Sequence, residues 1–138
     1  MLNIIKSMRK KIANKCDSEF PKKVDISGSI DIIPLMNNRC QYNAVHAVKA
    51  GKAVAVIECV MVESDRVISH YISQLGDGRY VDFTLGWSWS GSDYRFIRIV
   101  PDSEYADINE SLGNLKERVA DMARPTWIKP FIANWRLS

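Results

Sequence analysis

RVISHYISQLGDGRYVDFTL, residues 66–85, decides how this chain folds. Two runs rich in β-branched and aromatic residues, 66–75 and 79–85, flank Gly76-Asp77-Gly78. Glycines around an aspartate supply the positive backbone angles of a tight hairpin, so the stretch reads as two antiparallel strands. With a three-residue loop, Leu75 pairs with Arg79 and Ile72 faces Asp82. His70 then shares a face with Asp82, two positions along, where diagonal Cβ atoms stand within ~7–8 Å. This register puts His70, Gln74, Tyr80, Asp82 and Thr84 on one polar face. Tyr71, Val81, Phe83 and Leu85 lie on the other. A two-residue loop would part His70 from Asp82, because a one-residue slip turns every side chain over.

The same reading extends outward. AVAVIECVMV (53–62) is continuously apolar and β-branched, as a strand buried on both faces is. Tyr94 to Val100 forms a further strand, closed by Pro101. CQYNAVHAVKA (40–50) is a helix, with Asn37 or Asn38 placed to cap its start and Gly51 to end it. Residues 3–16 repeat Ile5, Met8 and Ile12 at helical spacing, with basic opposite faces. A helix within 104–123 carries Ile108, Leu112, Leu115, Val119 and Met122 on one stripe. The 17–39 connection is mostly irregular, with one short strand expected near Ile30 to Ile33. Pro125 and Pro130 break the tail. The expected class is α+β, in one domain spanning 1–138. It comprises an N-terminal amphipathic helix (3–16), a core (34–100) and a C-terminal helix and tail (103–138).

At 138 residues, with 46% hydrophobic and 25% charged residues, the chain can bury a core without metal or disulfide staples. The net charge of +3 does not indicate specific nucleic-acid binding. Three cysteines, Cys16, Cys40 and Cys59, form no CxxC pair and no zinc-finger spacing, so reduced thiols are expected and no metal or cofactor. Lys6, Arg9, Lys10 and Lys11 interrupt the N-terminal apolar run, and nothing approaches a membrane span. A cytoplasmic protein without membrane association is expected.

Cys40 opens the 40–50 helix, where free N–H groups and the macrodipole favour a thiolate and can also stabilise an oxyanion. Cys59 lies in a wholly apolar strand and reads as core. Cys16 reads as packed or exposed at the first helix end. His46, six residues after Cys40, points to another side of the helix, roughly 9 Å along the axis, and cannot serve it. His70 is the available base, with Asp82 accepting its Nδ1 proton and the other ring nitrogen facing the Cys40 sulfur. Asn38, Asn43 and Gln74 are candidate oxyanion or wall residues, and Trp87 and Trp89 candidate linings of a substrate cleft.

Cys40 with Cys-x-x-Asn-Ala at a helix start, Gly51, an apolar strand, His70-Tyr71, and Gly-Arg-Tyr-Val-Asp-Phe-Thr (78–84) resemble the transglutaminase-like core of the papain-like cysteine protease superfamily. The resemblance spans 38–87. It implies a papain-like fold in which a nucleophile-bearing helix packs on a small antiparallel sheet. It also implies Cys40 as nucleophile, His70 as base and Asp82 as its orienter. Ile72 stands where that family usually has Trp, and Phe83 where Pro is frequent. The expected activity is hydrolysis of amide, peptide or isopeptide bonds in a protein or peptide, through a thioester. The same triad serves acyltransferases and transglutaminases, and the same fold serves inactive binding or inhibitor proteins. The oligomeric state is not legible from the sequence.

Overall fold

The computed structural model describes residues 2–27, 35, 37–63, 66–86 and 92–122, with side chains from Lys11 onward. The expected strand near Ile30 to Ile33, Trp87, Trp89 and the tail aromatics lie outside the described residues.

Among the described residues the chain is α+β. Helix α1 (Leu2–Glu19) leads to β1 (Lys23–Val24), then α2 (Cys40–Lys49), β2 (Ala55–Val62), β3 (Val67–Gln74), β4 (Tyr80–Val81) and β5 (Asp93–Val100). A 3-10 turn (Asp102–Asp107) then runs into α3 (Ile108–Asp121). The sheet order is β1-β5-β2-β3-β4, with every paired neighbour antiparallel. β2 is central, and its residues Val56 to Met61 are buried, which is why the sequence there, Glu58 apart, is apolar without alternation.

The sheet curls until its two ends meet. Ile26, just after β1, bridges Tyr80 of β4, and the Ser27 N–H donates to the Tyr80 carbonyl at 2.9 Å. The inner face is therefore enclosed. It holds Val24, Ile26, Ile57, Cys59, Met61, Ile72 and Tyr94. The outer face packs the helices. Cys40, Ala44 and Val45 of α2 lie with Ile108 and Leu112 of α3 against Val56, Tyr71 and Val100. Cys16 of α1 and Phe20 just after it lie with Leu115 and Val119 against Val60.

One polar network ties the outer layer together. Tyr71 donates to Glu58 at 2.7 Å, and Arg98 joins Glu58 at 3.3 Å to Glu104 at 2.6 Å. Ser111 on α3 also donates to Glu104, at 2.8 Å. Glu58 is buried, so its charge needs both the tyrosine hydroxyl and the guanidinium.

The hairpin has the three-residue loop. The Leu75 N–H donates to the Arg79 carbonyl at 2.8 Å, Gln74 pairs with Tyr80, and Ser73 with Val81. Other expectations are corrected. The strand expected over 79–85 stops at Val81, because Asp82 turns the chain. Its Oδ1 accepts the N–H groups of Thr84 and Leu85, and its carbonyl accepts that of Gly86. The face carrying His70 is not polar; it is the enclosed apolar face, shared with Ile72 and Ile57. The first helix runs on to Glu19, and the start of the 104–123 helix is a 3-10 turn. Asn37 and Asn38 do not cap α2 by a side-chain bond; Arg39 is its N-cap.

Gly78 holds the loop with φ 90°, and a Cβ there would meet nothing within 4 Å. Gly78→Ala should therefore lower stability by about 1 kcal/mol through backbone conformation alone. Urea unfolding should show a lower midpoint with an unchanged slope.

Candidate active site

His70 and Asp82 meet because the hairpin register puts them on one face and the turn at Asp82 keeps the carboxylate there. The distance from His70 Nε2 to Asp82 Oδ2 is 2.7 Å, with both side chains buried. Cys40 lies near enough to the His70 ring to favour its charged form. The ring is turned over relative to the sequence expectation: Nε2, not Nδ1, meets Asp82.

Among the described residues no cluster of three or more His, Cys, Asp or Glu groups could hold a metal.

Each member is held from several sides. Asp82 Oδ2 also accepts the Tyr94 hydroxyl at 2.7 Å, while Oδ1 accepts the Thr84 and Leu85 N–H groups at 2.9 and 3.0 Å. Thr84 Oγ1 in turn accepts Asn43 Nδ2 at 2.9 Å, and the same Asn43 nitrogen reaches Asn37 Oδ1 at 3.0 Å. Asn43 therefore joins α2 to the Asp82 turn and to the loop before Cys40.

Cys40 is the first residue of α2, and the first intrahelical bond runs from the Asn43 N–H to the Arg39 carbonyl. The N–H groups of Cys40, Gln41 and Tyr42 precede it and have no helical acceptor. Asn38, just before the helix, takes the left-handed conformation with φ 57°, which asparagine tolerates better than most residues. It lines the same cleft as Cys40 and His70.

The electrostatics follow from burial against partners. Burial alone would hold the His70 imidazole neutral, but the Asp82 and Cys40 hydrogen bonds and charges outweigh it and raise its pKa to about 9. Burial likewise opposes the Asp82 charge, yet His70, the Leu85 N–H and Tyr94 hold its carboxyl below the ordinary value. Burial, then the Asp82 charge, pushes the Tyr94 phenol up, so it stays a donor. Burial raises the Cys59 thiol well above its ordinary range and Cys16 to about 11. Cys16 packs in the outer core, with no exposure.

Gln74 is not at the site. It sits four residues from His70, about 13 Å along the strand, and reaches the Gly78 carbonyl in the hairpin loop. His46 is exposed on α2. The sequence reading missed Tyr94 and Gln41. Gln41 is buried beside Cys40, with its Oε1 at 3.7 Å from the sulfur and its Nε2 donating to Asn109 at 3.3 Å. A buried tyrosine hydroxyl needs a partner, and that need was the available signal for Tyr94.

The pH dependence has two signs. His70, raised from 6.5 to about 9, contributes stability that is complete below pH 6.5 and lost as pH rises through 9. Asp82, lowered from 3.8, contributes stability present above that value and lost as pH falls through its folded-state pKa. By NMR titration the His70 ring should change charge near pH 9. In Asp82→Asn the midpoint should fall by about one unit or more, since burial is then less opposed.

Comparison of the chain with protein-family models, with curated proteins and with solved structures yields no match, so the site's chemistry is argued from these residues alone.

Proposed function

We propose that this protein is a cysteine-dependent hydrolase of amide, peptide or isopeptide bonds, working through a thioester acyl-enzyme on a papain-like core. The observation that carries the reading is the His70 imidazole, bonded to a buried carboxylate and near enough to the helix-tip sulfur for that sulfur to favour its charged form. Two further features support it. Cys40 and His70 open onto one cleft, and the other two thiols are buried with raised pKa values.

The reacting form in this reading is the pair with its proton on the imidazole, and a His70 raised to about 9 is protonated at neutral pH. The sulfur attacks the substrate carbonyl, and the S–C bond forms as the carbonyl electrons move to oxygen. The free N–H groups at the start of α2 receive that oxyanion. The C–N bond then breaks, and imidazolium gives its proton to the departing amine. Neutral His70 next takes a proton from water, whose oxygen attacks the thioester. The acid is released, and the sulfur and imidazolium are restored. Asp82 stays ionised throughout and fixes the ring, as Tyr94 and the Thr84 and Leu85 N–H groups fix Asp82. The cleft is open to solvent, which favours water over an amine as acceptor. The substrate class is a protein or peptide.

Iodoacetamide at neutral pH should label Cys40 stoichiometrically and leave Cys16 and Cys59 unmodified in the folded protein. His70→Ala should slow that labelling by about tenfold or more. Tyr94→Phe should lower turnover while leaving Cys40 labelled, since it loosens only the carboxylate behind the ring. Mass spectrometry with activated esters or peptides should trap a thioester at Cys40 that decays to free acid. Decay only when an amine is added would assign an acyltransferase instead. Sluggish labelling indifferent to His70 would leave a binding or inhibitor protein on this fold.

A further inference from the structure

The cleft at Cys40 is longer than the catalytic groups need. It has a volume of about 580 Å³ and runs between α3 and the outer edge of β3. On the helix wall Leu112, Lys116, Val119 and Ala120 all line it. Leu112 packs in the same cluster as Cys40, so that end of the wall is the catalytic end. From Leu112 to Ala120 the wall extends about 12 Å at helical rise. On the strand wall the lining runs from His70 back to Val67, about 10 Å at strand rise. Met61 and Leu85 add apolar lining, Asn38, Gln41 and Thr84 lie toward the catalytic end, and Glu63 and Arg66 line the far end.

The two walls agree on a length. Roughly 10–12 Å holds about three residues of extended chain. A charge also marks a position along it. Lys116 stands one turn beyond Leu112, about 6 Å, which is two extended residues from the scissile carbonyl. Its neighbours on the helix face are Leu112, Gly113, Val119 and Ala120, none acidic. Among the described residues no carboxylate pairs with it. By contrast, Arg66 at the far end is bound to Glu63 at 2.6 Å.

From this juxtaposition we infer that the cleft holds the acyl side of the substrate, as three extended residues with large apolar side chains and an acidic side chain at the second position, facing Lys116. The acyl side is the part that stays through both chemical steps, so the long recess beside the sulfur serves it best. This inference rests on the thiol-hydrolase reading above.

Peptidyl chloromethyl ketones test it without turnover. The Cys40 sulfur displaces chloride to form a thioether, and the peptide occupies only the acyl side. Acetyl-Leu-Glu-Leu-chloromethyl ketone should label Cys40 about tenfold faster than the acetyl-Leu reagent, and about tenfold faster than acetyl-Leu-Lys-Leu. Lys116→Glu should reverse the Glu-over-Lys preference. Ala120→Trp, at an exposed helix position, should abolish the length advantage. Equal rates for short and long reagents, with normal His70-dependent iodoacetamide labelling, would overturn the cleft assignment alone. A length advantage that is indifferent to charge at the second position, in wild type and Lys116→Glu alike, would overturn the role of Lys116. Failure of His70-dependent labelling would overturn the hydrolase reading itself.

Discussion

A carboxylate buried to 1% exposure is the constraint around which the rest of this structure is arranged. Removing an ion such as the Asp82 carboxylate from water costs several kcal/mol even after relaxation. Partners must compensate, and four do: the His70 ring, the Tyr94 hydroxyl and two backbone N–H groups. These come from β3, β5 and the turn after β4. No single element could supply them. The site therefore forms only when the curled sheet is complete, and folding and chemistry share one set of contacts.

Closure of the sheet makes that burial possible. An open two-faced sheet would leave His70 and Asp82 half in water, where a histidine–carboxylate pair is weak. The Ile26–Tyr80 bridge brings the chain after β1 to β4 and encloses Ile57, Cys59 and Ile72 around the pair. Low local polarity then strengthens the hydrogen bonds it surrounds, and the Asp82 carboxylate, against the effect of burial, holds the imidazole as a cation to about pH 9.

Much of this was legible from residues 66–85, because hairpin register is a local property. Gly76 and Gly78 set the loop length, and the loop length fixes which residues share a face. Cys40 at a helix start was equally readable, since Gly51 and the run from 40 to 50 bound that helix. Sheet curvature was not readable. It depends on a bridge between Ile26 and Tyr80, far apart in sequence, and no periodicity reports it. The face of His70 was accordingly misjudged as polar. Gln74 was placed near the site by face alone, though distance along the strand excludes it. Tyr94 was missed because its partner comes from a different hairpin.

The brevity of β4 is what lets Cys40 and His70 line one cleft. Cys40 belongs to the outer, helix-covered layer with Val56 and Tyr71, whereas His70 projects into the enclosed face with Ile72 and Cys59. A full-length β4 would cover the edge of β3 and wall one from the other. Instead the strand ends at Val81, and the Asp82 turn passes the bare edge to reach both layers. Its carboxylate binds His70 and Tyr94 within, while Thr84 binds Asn43 of α2 without. Asp82 thus has two tasks by one means. By capturing the N–H groups of Thr84 and Leu85 it stops the strand, and by stopping the strand it leaves the gap where Cys40 and His70 share one cleft.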